Sequence, residues 1–400
     1  MGKQYVWLPY SSACSDGLPL RVESARGCWL FLDDGIKLLD GISSWWSVCH
    51  GYSHPYIVEQ MRAQLERLSH VMLCSGLIHE QVCKLSFRLA NIAPGNVEKV
   101  FFSDSGSMAV EVAMKLAVQY WCAMGKSEKS NFVFFRSAYH GDSMGCMSVS
   151  DPEAIHGSLY LNYYPKQYAF DLPKSMEEID AFAERIGRIK DKVAAVVIEP
   201  VLQAAGGMKF HSVTALQHIR AIAENNGILF IADEIATGFG RTGAMFACNH
   251  AEINPDIMVL GKALSGGYCS LAATLVSDKV CAPFLSDNVK FMHGNTFIAN
   301  PLACAAANAS LDLFEDGSLL KKIGNIETQM KSEFAKFNEL DCVCGVRIKG
   351  AVAAMDLRRD YMSHLNVGLT EKLTEVGIWL RPVGNVLYIM PPYVISADEL

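Results

Sequence analysis

Short apolar runs alternate with stripes of helical period through the middle of the chain. Lys99–Ser103 (KVFFS) is one such run and ends in a Ser/Gly turn. From Ser107 to Trp121, Ala109, Val112, Ala113, Leu116 and Tyr120 fall on one helical face. Asn131–Arg136 (NFVFFR) reads as a strand. Val193–Ile198 (VAAVVI) is apolar at every position, as a strand buried on both faces requires. Ser212 can cap a helix that carries Leu216, Ile219 and Ala223 on one face, with Gly227 to end it. Ile228–Ile235 (ILFIADEI), Ile257–Leu260 and Leu271–Ser277 continue the series. The alternation predicts an α/β protein with a mostly parallel sheet covered by helices.

The two ends read differently. Trp29–Leu39 predicts a hairpin around Asp34-Gly35. From about residue 315 a long helical stretch precedes Val346–Leu357 as one strand, a helix ending near Gly377, and Val386–Met390 as a strand. We expect a large domain over residues 46–315 and a smaller α+β domain built from residues 1–45 and 316–400. A chain of 400 residues, half of them hydrophobic and 19% charged, can fill cores of that size.

Composition narrows the classes. The formal net charge of −7 leaves no basic footprint for nucleic acid or an anionic membrane. Phe291–Leu311 lacks Asp, Glu, Lys and Arg and is long enough to span a bilayer. It also holds His293, Asn295, Asn300, Pro301 and Asn308, which fit a buried segment of a soluble fold. No long apolar run follows the first residues, so no secretory signal is expected. Thirteen scattered cysteines without a Cys-x-x-Cys pair point to reduced thiols in a cytosol. His50 and His54 stand four apart, but Pro55 follows and no helical pattern makes them a metal face.

The sharpest chemical feature is Asp233 inside one apolar strand, with Lys262 at the end of the next apolar run. Each charge is costly to bury alone. Burial also lowers the pKa of a lysine toward that of a nucleophilic amine. Two arrangements relieve both costs. One is a buried Asp–Lys ion pair in the sheet core. The other is pyridoxal phosphate, whose aldehyde would join the lysine as a Schiff base while its ring nitrogen meets the aspartate. Ser103-Asp104-Ser105-Gly106-Ser107 joins a strand to a helix and suits either a phosphate or an ordinary helix cap. Tyr139 after the next strand can stack on a flat ring or simply pack in the core. Gly238-Phe-Gly240-Arg-Thr-Gly243 matches a dinucleotide fingerprint. No amphipathic helix follows it, which argues against a nicotinamide site.

The segment Asp233–Gly243 (DEIATGFGRTG), with the lysine segment after it, resembles the class III pyridoxal-phosphate aminotransferases. Asp40–Trp46 (DGISSWW), Ser103–Ser107, Met292–Phe297 (MHGNTF), Arg381-Pro382 and Met390–Tyr393 (MPPY) extend the likeness over nearly the whole chain. They draw it toward the branch that acts in biotin biosynthesis. The resemblance implies the fold type I architecture of these transferases, with a seven-stranded type of sheet. It further implies a cytoplasmic homodimer with shared active sites and pyridoxal 5'-phosphate as cofactor. The implied reaction moves an amino group from S-adenosyl-L-methionine to 8-amino-7-oxononanoate; another donor such as lysine, another acceptor, or cofactor binding without turnover are the alternatives.

By the same resemblance, Lys262 corresponds to the cofactor-bound lysine and Asp233 to the partner of the ring nitrogen. Gly106 and Ser107 correspond to phosphate ligands. Asn295 and Thr296 correspond to a phosphate-binding pair from the neighbouring subunit, and Tyr139 to the ring-stacking tyrosine. Tyr10, Trp45 and Gly294 correspond to substrate contacts, Arg381 to the partner of the substrate carboxylate, and Arg241 to a residue near the substrate. An alkyl chain with a terminal carboxylate needs an apolar wall and a fixed cation beyond it, which matches these residue types. Trp45-Trp46 could equally be interface packing, and Arg381 a surface ion pair. Asn295 replaces an expected proline. Tyr268 replaces a smaller threonine, where a bulky ring could narrow the site.

Overall fold

The computed structural model describes residues 5–12, 19–74, 76–153, 159–286, 289–358 and 368–400. Near the N-terminus β1 (Val22–Arg26), β2 (Trp29–Leu32) and β3 (Lys37–Asp40) form an antiparallel meander. Gly35 turns the β2–β3 hairpin with φ +87°, a conformation that glycine adopts at no steric cost.

The central sheet contains β4 (Val97–Ser103), β5 (Asn131–Phe135), β6 (Tyr168–Phe170) and β7 (Val193–Ile198). After a short hairpin of β8 (Leu202–Gln203) and β9 (Lys209–Phe210) come β10 (Leu229–Asp233), β11 (Ile257–Leu260) and β12 (Ala272–Ser277). The order is β4-β12-β11-β10-β7-β5-β6. The neighbours from β11 to β6 run parallel, and β12 is antiparallel to both β11 and β4. Every residue of β7, β10 and β11 is buried, which explains the unbroken apolar runs.

Two helices follow from composition. Gly106–Ala123 is capped by Ser105, whose hydroxyl accepts Met108 N–H at 3.3 Å, and is buried around most of its girth. Pro301–Asp312 holds the second half of the charge-free segment as a buried, alanine-rich helix capped by Asn300. Among the described residues no helix is long and apolar enough to cross a membrane. The described cysteines are all free.

In the C-terminal part the expected single strand over Val346–Leu357 is instead two, β13 (Val343–Lys349) and β14 (Val352–Leu357), paired antiparallel. Gly350 makes the turn with φ +57°, and a Cβ there would lie 2.4 Å from Gly243 N. A single Gly with no Asn or Asp beside it leaves this turn unmarked in the sequence. β15 (Ile378–Trp379) pairs parallel with β3, so the chain ends share a four-stranded sheet, and β16 (Val386–Ile389) completes a three-stranded sheet with β13 and β14.

Candidate active site

The parallel strands deliver their carboxyl ends to one edge of the central sheet, where open α/β sheets bind ligands. Register aligns Ala232 with Ile198 and Asp233 with Val259. Glu199, Asp233 and Lys262 therefore emerge at one level from the ends of β7, β10 and β11. Tyr139 and His140 come from the loop after β5, and Gly106 and Ser107 from the helix start after β4. These seven residues line one cleft of about 170 Å³.

Lys262 sits just past β11 with φ +43°, a left-handed backbone that is unfavourable for a side-chain-bearing residue. Its Nζ lies 4.6 Å from the centre of the Trp46 ring. Burial lowers the pKa of this amine, against the opposing negative charges of Asp233 and Glu199. Asp233 is 3% exposed; its Oδ1 accepts Ile235 N–H at 3.0 Å and its Oδ2 lies 2.7 Å from His140 Nδ1. Burial alone would depress the His140 imidazole. The hydrogen bond and charge of Asp233, with Glu199 beyond, outweigh it and hold His140 above the usual histidine range. Burial pushes Glu199 up to about 7, although its carboxylate accepts Tyr139 N–H and Ala204 N–H, each at 3.2 Å.

Two glycines keep the cradle open. A Cβ on Gly141 would stand 2.1 Å from Ser107 Oγ, and one on Gly106 would stand 2.9 Å from Ile235 Cδ1. The cleft thus combines a helix amino terminus free of side-chain bulk, a buried amine and a buried carboxylate. That donor set fits the phosphate, aldehyde and ring nitrogen of pyridoxal phosphate.

A wider cleft of about 690 Å³ opens outward from Lys262 and Trp46. Its walls include Tyr10, Trp45, Tyr139, Asp142 and Arg381. Tyr10 meets Trp45 edge-on at 5.9 Å and donates its hydroxyl proton to Asp142 Oδ2. Tyr139 donates to Asp142 Oδ1 at 2.9 Å. The Arg381 guanidinium carbon lies 4.9 Å from the centre of the Trp45 ring.

The tryptophans stand on an unusual backbone. Ser43, Ser44, Trp45 and Trp46 all have positive φ, at +50°, +46°, +63° and +76°. A left-handed residue costs roughly 1–2 kcal/mol each, so such a run persists only where the surroundings fix it. Asp40, at the end of β3, accepts Ile42 N–H through Oδ1 and Ser44 N–H through Oδ2, both at 2.8 Å. Tyr52 donates to the same Oδ2, and Ser43 Oγ donates to the Met390 carbonyl at 2.6 Å.

The sequence-predicted residues divide into groups. Lys262, Asp233, Gly106, Ser107 and Tyr139 share the inner cleft, and Tyr10, Trp45 and Arg381 share the outer one. Gly294, Asn295 and Thr296 line neither cleft of this chain; they lie on a largely exposed segment beside Met292 and Phe297. Arg241 also lies outside both clefts. It is 1% exposed, bonds the carbonyls of Ala351 and Pro391, and stacks on Tyr393 at 4.7 Å. It therefore braces the fold rather than lining the substrate cleft. Tyr268 turns away as well, with its hydroxyl accepting His54 N–H and its ring packed by Ile57 and Ala306, so it does not narrow either cleft. His50 bonds Ser310, and no metal-binding cluster occurs among the described residues. The glycine fingerprint opens no helix, since the next one is the single turn Cys248–Ala251.

Sequence reasoning gives no role to Glu199, Asp142 or Asp40, the last although it opens the DGISSWW segment. Glu199 carried a legible signal, because it is a carboxylate at the carboxyl end of a fully apolar strand.

Comparison with known proteins agrees with this geometry. The profile of the aminotransferase class-III family matches residues 10–400. An adenosylmethionine-8-amino-7-oxononanoate aminotransferase of Buchnera aphidicola subsp. Schizaphis graminum is 38% identical over 99% of this chain and 93% of the relative. The protein of the same name from Corynebacterium glutamicum is 39% identical over 98% of this chain and 93% of the relative. The crystal structure of the Methanocaldococcus jannaschii protein of that name superposes with TM-score 0.94 and 34% identity, covering 99% of this chain and 94% of the other. An amine transaminase from an uncultivated Pseudomonas species, in its PLP-bound form, gives TM-score 0.93 and 28% identity over 100% and 96% of the two chains.

Proposed function

Because the chain belongs to the class-III aminotransferase family, we propose that it makes 7,8-diaminononanoate from 8-amino-7-oxononanoate in biotin biosynthesis, with S-adenosyl-L-methionine as amino donor. It is a pyridoxal-phosphate enzyme of fold type I. The observation that carries the substrate reading is the outer cleft. An aromatic wall of Tyr10 and Trp45 leads from Lys262 to the Arg381 guanidinium. A long alkyl chain ending in a carboxylate needs that sequence of surfaces.

Bound pyridoxal phosphate supplies an aldehyde that accepts amino groups and a ring that stores the electron pair released at the donor carbon. Lys262 would hold the aldehyde carbon through Nζ. Its lowered pKa favours the neutral amine, which would take the proton from the donor α-carbon as a base and, as an acid, deliver it to the carbon that carried the aldehyde. Asp233 would hold the proton on the ring nitrogen, with its carboxylate oriented by His140 Nδ1 and Ile235 N. The N–H groups at Gly106 and Ser107 would bind the phosphate at the positive end of their helix. Tyr139 would stack on the ring. Arg381 would fix the acceptor carboxylate, so that its keto carbon meets the amine in the second half of a ping-pong cycle.

The enzyme is read as a cytoplasmic homodimer whose partner subunit completes each site through residues equivalent to Gly294, Asn295 and Thr296. That reading is supported by their lining neither cleft of this chain, by an Asn295 Oδ1 with no partner among the described residues and by exposed Met292 and Phe297 alongside. We also assign residues 46–315 to a large domain and the two chain ends to a small one, which the β3–β15 pairing supports.

The test is the absorbance spectrum of the purified protein before and after S-adenosyl-L-methionine, then after 8-amino-7-oxononanoate. Loss of the aldehyde-form band with the first and its return with the second is expected. A band that answers lysine but not S-adenosyl-L-methionine would replace the donor, and a colourless protein that takes up no coenzyme would end the reading.

A further inference from the structure

The left-handed run Ser43–Trp46 presents two tryptophans whose supports differ. Trp46 is 3% exposed, donates its indole N–H to Tyr388 Oη at 3.2 Å and packs in a core with Leu202 and Val352. Trp45 is 43% exposed and meets only the edge of Tyr10 and the Arg381 guanidinium among the ring contacts of the described residues. Trp46 is therefore fixed by its own side chain. Trp45 is fixed chiefly by the backbone that carries it.

That backbone is pinned from one carboxylate. Asp40 is fully buried and takes three donors: Ile42 N, Ser44 N and Tyr52 Oη. Both amides belong to the run's start, one before it and one within it. The same few residues also fasten the element that carries Arg381. Gly41 N–H donates to the Trp379 carbonyl at 3.1 Å, two residues before Arg381, and the Gly41 carbonyl accepts Met390 N–H at 2.8 Å. The space is tight, because a Cβ on Gly41 would lie 2.5 Å from Leu380 Cδ2. Aromatic wall and cation thus reach the outer cleft from two distant parts of the chain that meet at one short turn.

We infer that Asp40 is a positioning residue for the acceptor, setting the distance and angle between Trp45 and Arg381 through the Ile42 and Ser44 amides. It touches no substrate itself. The inference rests on the proposed acceptor, whose tail is the part of either substrate that would need both groups. In the proposed mechanism the donor half-reaction runs on Lys262 and Asp233, which Asp40 does not contact, so it is insulated from this pin.

The experiment compares the holoenzyme with Asp40→Asn and Tyr52→Phe in both half-reactions. The asparagine keeps an oxygen for Ile42 N–H but turns an NH₂ toward Ser44 N–H. It should raise the KM for 8-amino-7-oxononanoate by about tenfold, the scale of one lost charge-assisted hydrogen bond. The rate of the donor half-reaction should stay near the parent's. Tyr52→Phe removes one hydroxyl and no backbone tie, so it should move the same KM in the same direction by less. A parallel fall of both half-reactions, or an unchanged acceptor KM in both variants, overturns the inference. A parent that accepts the donor's amine but never passes it to 8-amino-7-oxononanoate overturns the acceptor reading, and the inference with it. A parent that turns over while both variants keep its KM overturns the inference alone.

Discussion

Asp233 and His140 are joined by a 2.7 Å hydrogen bond with both side chains sealed from solvent. The imidazole is held above its usual pKa by that bond and by the carboxylate charge, so a proton is retained next to the carboxylate. That cationic partner offsets the cost of burying a carboxylate at the carboxyl end of β10. Asp233→Asn preserves the shape and removes the charge. Turnover should fall by about 10²–10³-fold, the usual scale for losing one preorganised electrostatic contact. Far-ultraviolet circular dichroism and the steady-state rate check this, and a variant with parental kcat would remove the assigned role.

Lys262→Ala deletes the only amine that lines the inner cleft among the described residues. The protein should lose the absorbance of covalently held coenzyme and all measurable turnover, while coenzyme still binds through the phosphate site. Borohydride should tag the parent at residue 262 and leave the variant unmodified, as read by peptide mass.

Arg381→Ala removes the cation stacked beside Trp45. The KM for the oxononanoate should rise by about 30-fold or more, in line with the loss of a bidentate charge-assisted contact. The donor half-reaction should be spared. An unchanged KM would detach Arg381 from the acceptor.

Glu199 gives a pH prediction. Its carboxyl is pushed up to about 7 in the folded protein by burial, against an ordinary value of 4.5. Between those values the folded state binds more protons than the unfolded one, so this group's contribution to stability declines as pH rises through about 7. Glu199→Gln abolishes the titration at the cost of one acceptor. The difference in Tm, variant minus parent, should therefore shift in the variant's favour between pH 5 and pH 8. A flat difference across that window would contradict the raised carboxyl.

Gly141→Ala places a methyl group against Ser107 Oγ at a residue with φ +127°. The cradle must shift, so coenzyme affinity should drop by about tenfold or more, read by equilibrium dialysis. Retained affinity would show that the loop relaxes without disturbing the helix start.

The central sheet was legible because burial on both faces writes continuous apolar runs, and charged residues inside such runs stand out. Asp233 and Lys262 were found that way. His140 was visible only as a neighbour of Tyr139, since nothing in sequence joins it to a residue 93 positions on. Asp40 opens the DGISSWW segment, but its work depends on amides whose direction is a tertiary fact. The family resemblance places Arg241 near the substrate, whereas the fold closes the β13–β14 turn and Tyr393 around it. The β13–β14 turn escapes for a local reason, as Gly350 turns the chain directly between two strands without an Asn or Asp beside it to announce the hairpin.

The pairing of β15 with β3 joins segments at opposite ends of the polypeptide. During synthesis the sheet edge that cradles the coenzyme can assemble from residues already outside the ribosome. Arg381, two residues beyond β15, has not yet been translated at that stage. A nascent or prematurely terminated chain would therefore carry the residues of the inner cleft while the outer one still lacks its arginine.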